Sequence, residues 1–303
     1  MKVVLFCGGL GTRLREHSGT LPKAMVEIGY RPIIWHLMKY YAHNGITDFI
    51  LCLGYRGDCI KNYFLNYDEC LSNDFVLRQG GRTVCLQNTD IREWTITFAD
   101  TGLHSNLAQR LTSVRKYLGD DEVFLANYTD GLTDLPLAPY LEHFYRHGKI
   151  ASFLAVRPSQ SFHLVSFGED SNVANIQPAS ESNAWINGGF FLFHREIFNY
   201  LREGEDLVDG TLRRLLVAKQ LTAYRYRGFW ACMDTFKEKQ FFDGLYESGS
   251  MPWAIWEKPP QGLDEARCGS TERRDGPEAE RILVDRLRTR RESDPAGMQM
   301  PRA

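Results

Sequence analysis

The chain has 303 residues, 43% of them hydrophobic and 24% charged, with a formal net charge of -2. That composition supplies a sizeable core and excludes general disorder. The balance of 36 basic against 38 acidic residues leaves no overall field to hold nucleic acid or an anionic membrane surface.

Residues 3–7 form a short apolar run broken at once by glycines, the pattern of a buried strand and not of a signal peptide. In residues 31–53, Pro32 suits the first helical position. Ile33, Ile34, Leu37, Met38 and Tyr41 then recur on one face, Asn44-Gly45 ends the helix, and 49–53 reads as a buried strand. The same alternation predicts a helix over 59–67, a strand over 122–126, a helix over 137–147 and a strand over 151–156. Residues 75–98 alternate around Gly80-Gly81 and are expected to form a hairpin-like excursion. Residues 160–195 read as further strands, 190–193 being a buried one.

From about residue 258 the composition turns charged and poor in aromatics, and only 279–291 keeps helical spacing. The expected organisation is therefore one α/β domain over 1–257, with a doubly wound, mostly parallel sheet and a small β-rich excursion, followed by a mobile tail over 258–303. No stretch approaches the roughly 18 apolar residues of a membrane span. Seven cysteines, odd in number and never in a CxxC pair, are expected as reduced thiols. Both points favour a cytoplasmic protein.

Directly after the first strand stands Gly8-Gly9-Leu10-Gly11-Thr12-Arg13-Leu14, with Pro22-Lys23 downstream. Glycines let a backbone approach phosphates closely, successive N–H groups make an anion-binding concavity, and Arg13 and Lys23 add full positive charges. The P-loop pattern and the third glycine of GxGxxG are both absent, and a purely structural turn is the alternative.

These residues, with MVEIGYRPIIWHLM, the TDG at 129–131, INGGFF at 186–191 and GFWACMDT at 228–235, resemble the sugar-1-phosphate nucleotidylyltransferases, and within them the glucose-1-phosphate cytidylyltransferases. The resemblance covers roughly residues 1–257. It implies a Rossmann-like nucleotidyltransferase fold and transfer of a nucleotidyl group, CMP from CTP by default, to a sugar 1-phosphate with release of pyrophosphate. It also implies a homo-oligomer and a Mg²⁺ cofactor held by Asp130 and Asp234. Spacing alone leaves Asp130 equally a turn residue, since Asp-Gly is a common turn pair.

Carried over residue by residue, the resemblance assigns Gly8, Gly9, Leu10, Gly11, Thr12, Arg13, Lys23, Arg110 and Thr129 to the nucleotide. Asn187 and Gly188 fall to the sugar, and Arg13, Lys23 and Asp130 to the chemistry. For Arg110 the alternative is a salt-bridged surface residue. A phosphate monoester with a second pKa near 6 needs no general base, so positioning and positive charge are the expected means of catalysis.

Three departures bear on substrate. The family's EKP stretch, whose lysine binds the sugar phosphate, is here Gln177-Pro178-Ala179-Ser180. Thr129 and Ala108-Gln109 stand where the family has glycines, and His163 replaces another. A different sugar phosphate or nucleotide, or a catalytically impaired nucleotide-sugar sensor, is therefore kept as the alternative; a dehydrogenase is the weakest. His143 and His147, four apart on a predicted helix, lack the glutamate of a zinc protease motif and are expected on a solvated face. Phe229-Trp230 and the Trp253–Trp256 stretch are expected as core or subunit contacts more than ligand platforms. Arg286, Arg288, Arg290 and Arg291, interspersed with acids, read as a solvated helix.

Overall fold

The computed structural model describes residues 1–9, 21–158 and 162–257. In chain order the elements are β1 (Val3–Phe6), β2 (Glu27–Ile28), β3 (Arg31–Pro32), α1 (Ile33–His43), β4 (Asp48–Leu53), α2 (Gly57–Leu65), β5 (Phe75–Arg78), β6 (Thr83–Leu86) and β7 (Thr95–Asp100). There follow α3 (Leu107–Val114), β8 (Val123–Tyr128), β9 (Gly131–Thr133), α4 (Leu137–His147), β10 (Ala151–Val156), β11 (His163–Phe167), β12 (Val173–Pro178), β13 (Ile186–Asn187) and β14 (Phe191–His194). Last come α5 (Arg213–Val217), β15 (Leu221–Arg225), β16 (Trp230–Cys232) and α6 (Phe236–Glu247).

Eight strands form the main sheet in the order β13-β10-β14-β8-β1-β4-β7, with β15 paired to β10. Pairs β1–β4, β1–β8, β4–β7 and β10–β15 are parallel, and β14 runs antiparallel between β8 and β10. β1 is central because its run of apolar residues suits burial on both faces. Val4 and Phe6 join a cluster with Leu111 and Val114 of α3 and with Phe191 and Phe193. Val3 and Leu5, on the alternate positions, are equally buried. Tyr40 and Tyr41 of α1 pack on Phe190. The result is a Rossmann-like, mostly parallel α/β sheet, as expected.

Two boundaries shift. Pro32 lies just outside α1, as its N-cap in extended conformation, and the helix ends at Asn44 with Gly45 at φ +79°. Residues 95–98, expected in the excursion, instead belong to β7 on the main sheet. β7 is an edge strand, so its half-covered faces give an alternating pattern that reads like a hairpin arm.

By contact density, residues 62–92 separate as a small unit from residues 1–61 with 93–257. The small unit carries the antiparallel β5–β6 hairpin around Gly80-Gly81 and a knot of bonds in which Asp90 accepts from Tyr67 Oη at 2.8 Å, Ser72 Oγ at 3.0 Å and Asn73 Nδ2 at 3.1 Å. The tail, its helix over 279–291 and Cys268 lie outside the described residues. Among the described cysteines Cys7, Cys52 and Cys232 are buried and Cys70 is exposed. No described helix is long and apolar enough to cross a membrane.

Candidate active site

Because β1, β4, β7 and β8 run parallel, their carboxyl ends share one sheet edge. The strand order reverses direction between β1 and β8, where open α/β sheets leave a crevice. A cavity of about 620 Å³ opens there, lined among others by Gly8, Gly9, Lys23, Arg110, Asp130 and Asp234.

Asp130 and Asp234 meet through a very small ladder. β9 and β16 pair antiparallel with Gly131 opposite Cys232, and Met233 N–H donates to Asp130 C=O at 2.8 Å. The two aspartates therefore sit at one end of this ribbon, one before β9 and one after β16. Lys23 starts a single 3-10 turn, Lys23–Met25, pinned by the buried Ala24 and Met25 and by Met25 N–H to Pro22 C=O at 2.8 Å. Its ammonium donates to Asp130 Oδ2 at 2.5 Å and also contacts Asp234 Oδ1. Burial alone would lower the Lys23 pKa; the charges and hydrogen bonds of Asp130 and Asp234 outweigh it and hold the ammonium above its usual value.

Glu238 supports this arrangement from α6. Thr235 and Glu238 form a capping box, and the Glu238 carboxylate also accepts Asp234 N–H at 2.6 Å. Burial, then the Asp234 and Glu238 charges, push the Cys232 thiol up to about 12, so it stays protonated beside the carboxylates.

Arg110 is 4% exposed, which excludes the surface ion pair. Its guanidinium donates to the carbonyls of Leu53 at 3.1 Å, Gly8 at 3.2 Å and Leu103 at 3.4 Å, and to Thr101 Oγ1 at 2.7 Å. It thus laces together the carboxyl ends of β1, β4 and β7. A Cβ on Gly8 would stand 2.1 Å from its Cζ, whereas one on Gly9 would meet nothing within 4 Å among the described residues. Gly8 is required by the arginine, and both glycines line the cavity.

Thr129 turns its hydroxyl to Phe6 C=O at 3.2 Å, so its branch packs against β1. Asn187 and Gly188 are outside the cavity wall; Gly188 C=O accepts from Trp230 Nε1 at 2.9 Å, and Asn187 Oδ1 accepts from Gly189 N–H at 2.9 Å. Leu10, Gly11, Thr12 and Arg13 lie outside the described residues. His143 and His147 stack with ring centroids 4.0 Å apart on α4, and no group of three or more His, Cys, Asp or Glu suited to a metal occurs among the described residues. Trp253 is fully buried against Phe242 and Phe229, a core residue.

A sequence model of the nucleotidyl transferase family matches residues 2–246. The chain belongs to that family. This nucleotidyl transferase is 38% identical to glucose-1-phosphate cytidylyltransferase of Salmonella typhi, over 85% of its own length and 100% of the relative's. It is 34% identical to the probable glucose-1-phosphate cytidylyltransferase of Bacillus subtilis, covering 84% of this chain and 100% of that one. A UTP-bound UGPase from Acinetobacter baumannii shares its fold at TM-score 0.60 and 17% identity, over 84% of the transferase and 96% of that chain.

Sequence reasoning did not single out Tyr128, Asp206, Asn106 or Glu238 around the transferase's cavity. Glu238 carried a signal: Thr235-Phe236-Lys237-Glu238 has the S/T-x-x-E spacing of a capping box. Asn106 and Gln109 cap α3 in the same manner, and Asn106 Nδ2 donates to Glu205 C=O at 3.1 Å, fixing the rim beside Asp206.

Proposed function

We propose that this enzyme transfers CMP from CTP to glucose 1-phosphate, giving CDP-glucose and pyrophosphate, with Mg²⁺ as cofactor. The observation that carries the reading is the meeting of Lys23, Asp130 and Asp234 in one cavity that Gly8 and Gly9 also line. The donor set fits Mg²⁺, which takes one or two protein carboxylates and completes its octahedron with phosphates and water. Asp130 and Asp234 would hold it, and when bound it supplies positive charge to the triphosphate oxygens.

The chain's own residues do the rest. The N–H groups of the glycine turn receive the triphosphate at the carboxyl end of β1. Lys23 meets the α-phosphate, reducing repulsion against the incoming dianion. An oxygen of the sugar phosphate attacks the α-phosphorus, the bond from that phosphorus to the β-phosphate oxygen breaks, and pyrophosphate leaves carrying the electron pair. No proton is removed from the nucleophile, since a phosphate monoester with a second pKa near 6 is already largely dianionic at neutral pH. Arg110, with its donors committed to backbone carbonyls, acts by shaping the turn.

The family's sugar-phosphate lysine is missing, and Gln177 instead accepts from Asn175 Nδ2 at 3.3 Å. We assign its charge to Arg157, which donates to Ser182 C=O at 2.7 Å and Ala184 C=O at 3.0 Å, just past that stretch, and stacks with Arg225 on Trp185. Arg157 and Arg225 follow the carboxyl ends of the parallel β10 and β15, the same sheet edge as Asp130. Arg157→Gln should raise KM for the sugar phosphate about tenfold with KM for CTP unchanged; an unchanged sugar KM removes the assignment. We also place a homo-oligomer contact on the β11–β12 ribbon, where Val165, Phe167, Val173 and Ile176 are exposed. A nucleoside triphosphate substrate favours a cytoplasmic location for the enzyme.

Pyrophosphate release across a grid of nucleoside triphosphates and sugar 1-phosphates tests the reading. Release with CTP and glucose 1-phosphate, lost in Asp130→Asn and Asp234→Asn, supports it. Release only with another pair keeps the chemistry and changes the substrate, and binding without turnover across the grid favours a sensor.

A further inference from the structure

We infer that Lys23 occupies the place of the divalent cation in the empty enzyme, so that the lysine must be drawn off by a triphosphate before the two aspartates can take up metal. The inference rests on the metal role proposed for Asp130 and Asp234 and adds an order to it: nucleotide unlocks the metal site.

The argument is one of space and charge. One oxygen from each carboxylate, Asp130 Oδ2 and Asp234 Oδ1, points at the same ammonium. Mg²⁺ held by these oxygens would lie at about 2.0–2.1 Å from each. An ammonium in direct contact with both already fills that volume, and two cations sharing it would repel strongly in a partly buried site. The Lys23 side chain is 16% exposed, and those of Asp130 and Asp234 are 25% and 35% exposed. Metal and lysine therefore compete for one position.

What releases the lysine is also on the cavity wall. Gly8 and Gly9 line the same cavity as Lys23, and a triphosphate seated there presents oxygens to a flexible four-carbon stem. Once the ammonium swings to phosphate, both carboxylates are left with charge to share, and metal affinity rises. Nucleotide and metal then bind with positive coupling, which is reciprocal by linkage. Lys23 acts in this scheme as a positioning residue for the metal as well as a phosphate ligand.

The test is Mn²⁺ binding to nucleotide-free protein, followed by the loss of the free-ion electron paramagnetic resonance signal. Lys23→Met should bind Mn²⁺ about tenfold tighter than the unmutated enzyme, or more. Lys23→Arg, which keeps a cation, should stay near the unmutated value. Adding Asp130→Asn to Lys23→Met should abolish the gain. Thermal melting gives a second readout: Mn²⁺ should raise the melting temperature of Lys23→Met more than that of the unmutated protein, and a Lys23→Met chain that folds only with Mn²⁺ supports the inference too. Equal or weaker Mn²⁺ binding by Lys23→Met overturns it, and if pyrophosphate is still released by the unmutated enzyme, the transferase reading stands alone. Tighter binding by Lys23→Met without turnover of any substrate pair in the unmutated enzyme would remove the transferase reading and leave a lysine-guarded metal site.

Discussion

At the scale of single residues, Arg110 and Gly8 define each other. The guanidinium is buried with four acceptors, none of which is a carboxylate, and burial pulls its pKa below the usual value. Arg110→Met would strand several carbonyls and should cost on the order of 3 kcal/mol in urea unfolding. Gly8→Ala, whose Cβ would overlap Arg110 Cζ, should cost a similar amount alone but little more once Arg110 is Met. Strictly additive losses would sink this pairing. Gly9→Ala is the contrasting change. No described residue would meet its Cβ within 4 Å, so stability should hold while KM for CTP rises, because the approaching ligand feels the added methyl.

Among elements, the small ladder β9–β16 and the first turn of α6 matter most to the site. Thr235→Ala removes the N-cap and should cost about 1 kcal/mol. Glu238→Ala should cost a similar amount in stability yet lower kcat much further, since Glu238 also holds Asp234 N–H; equal kcat losses in the two variants would argue against that role. On the β11–β12 ribbon, Phe167→Ser with Ile176→Ser should reduce the oligomer mass seen by light scattering and leave subunit unfolding unchanged. An unaltered mass would move the interface elsewhere. The longer elements were legible in the sequence because their periodicity is set by the sheet and helix faces they bury: 137–147 and 151–156 are found as read. The strand β7 was not, because an edge strand mixes covered and exposed positions. The Lys23–Asp130–Asp234 cluster was legible only as three separate motifs, since their meeting depends on a register of three residue pairs that leaves no periodic trace. The surface alternative kept for Arg110 fails for a related reason: its acceptors are three backbone carbonyls and a threonine hydroxyl that composition does not reveal.

For the molecule as a whole, His36 ties stability to pH. The ring is 4% exposed, its Nε2 bonded to Ile28 C=O at 3.1 Å and its Nδ1 accepting from Trp253 Nε1 at 3.3 Å. Burial lowers its pKa from 6.5 to about 4, outweighing the bonds to backbone carbonyls. A proton on Nδ1 would face the indole N–H, so the folded state keeps the ring neutral. The unfolded chain binds that proton near pH 6.5, and stability is therefore full above 6.5 and falls as pH drops towards 4. The loss should be on the order of 3 kcal/mol across that window. His36→Gln, which offers one donor and one acceptor and does not titrate, should flatten this part of the profile. Identical slopes in both proteins would assign the acid sensitivity to other groups.

The ribbon that brings Asp130 to Asp234 also sets a timetable for synthesis. A growing chain emerges from the ribosome with its glycine turn, Lys23 and first aspartate long before β16 and the second aspartate follow. Until then Lys23 lacks the second of the two carboxylates it meets in the folded protein. The three-way cluster is thus complete only once β16 is in place; on the metal role proposed above, a chain that stops before Asp234 is expected to take up no divalent ion.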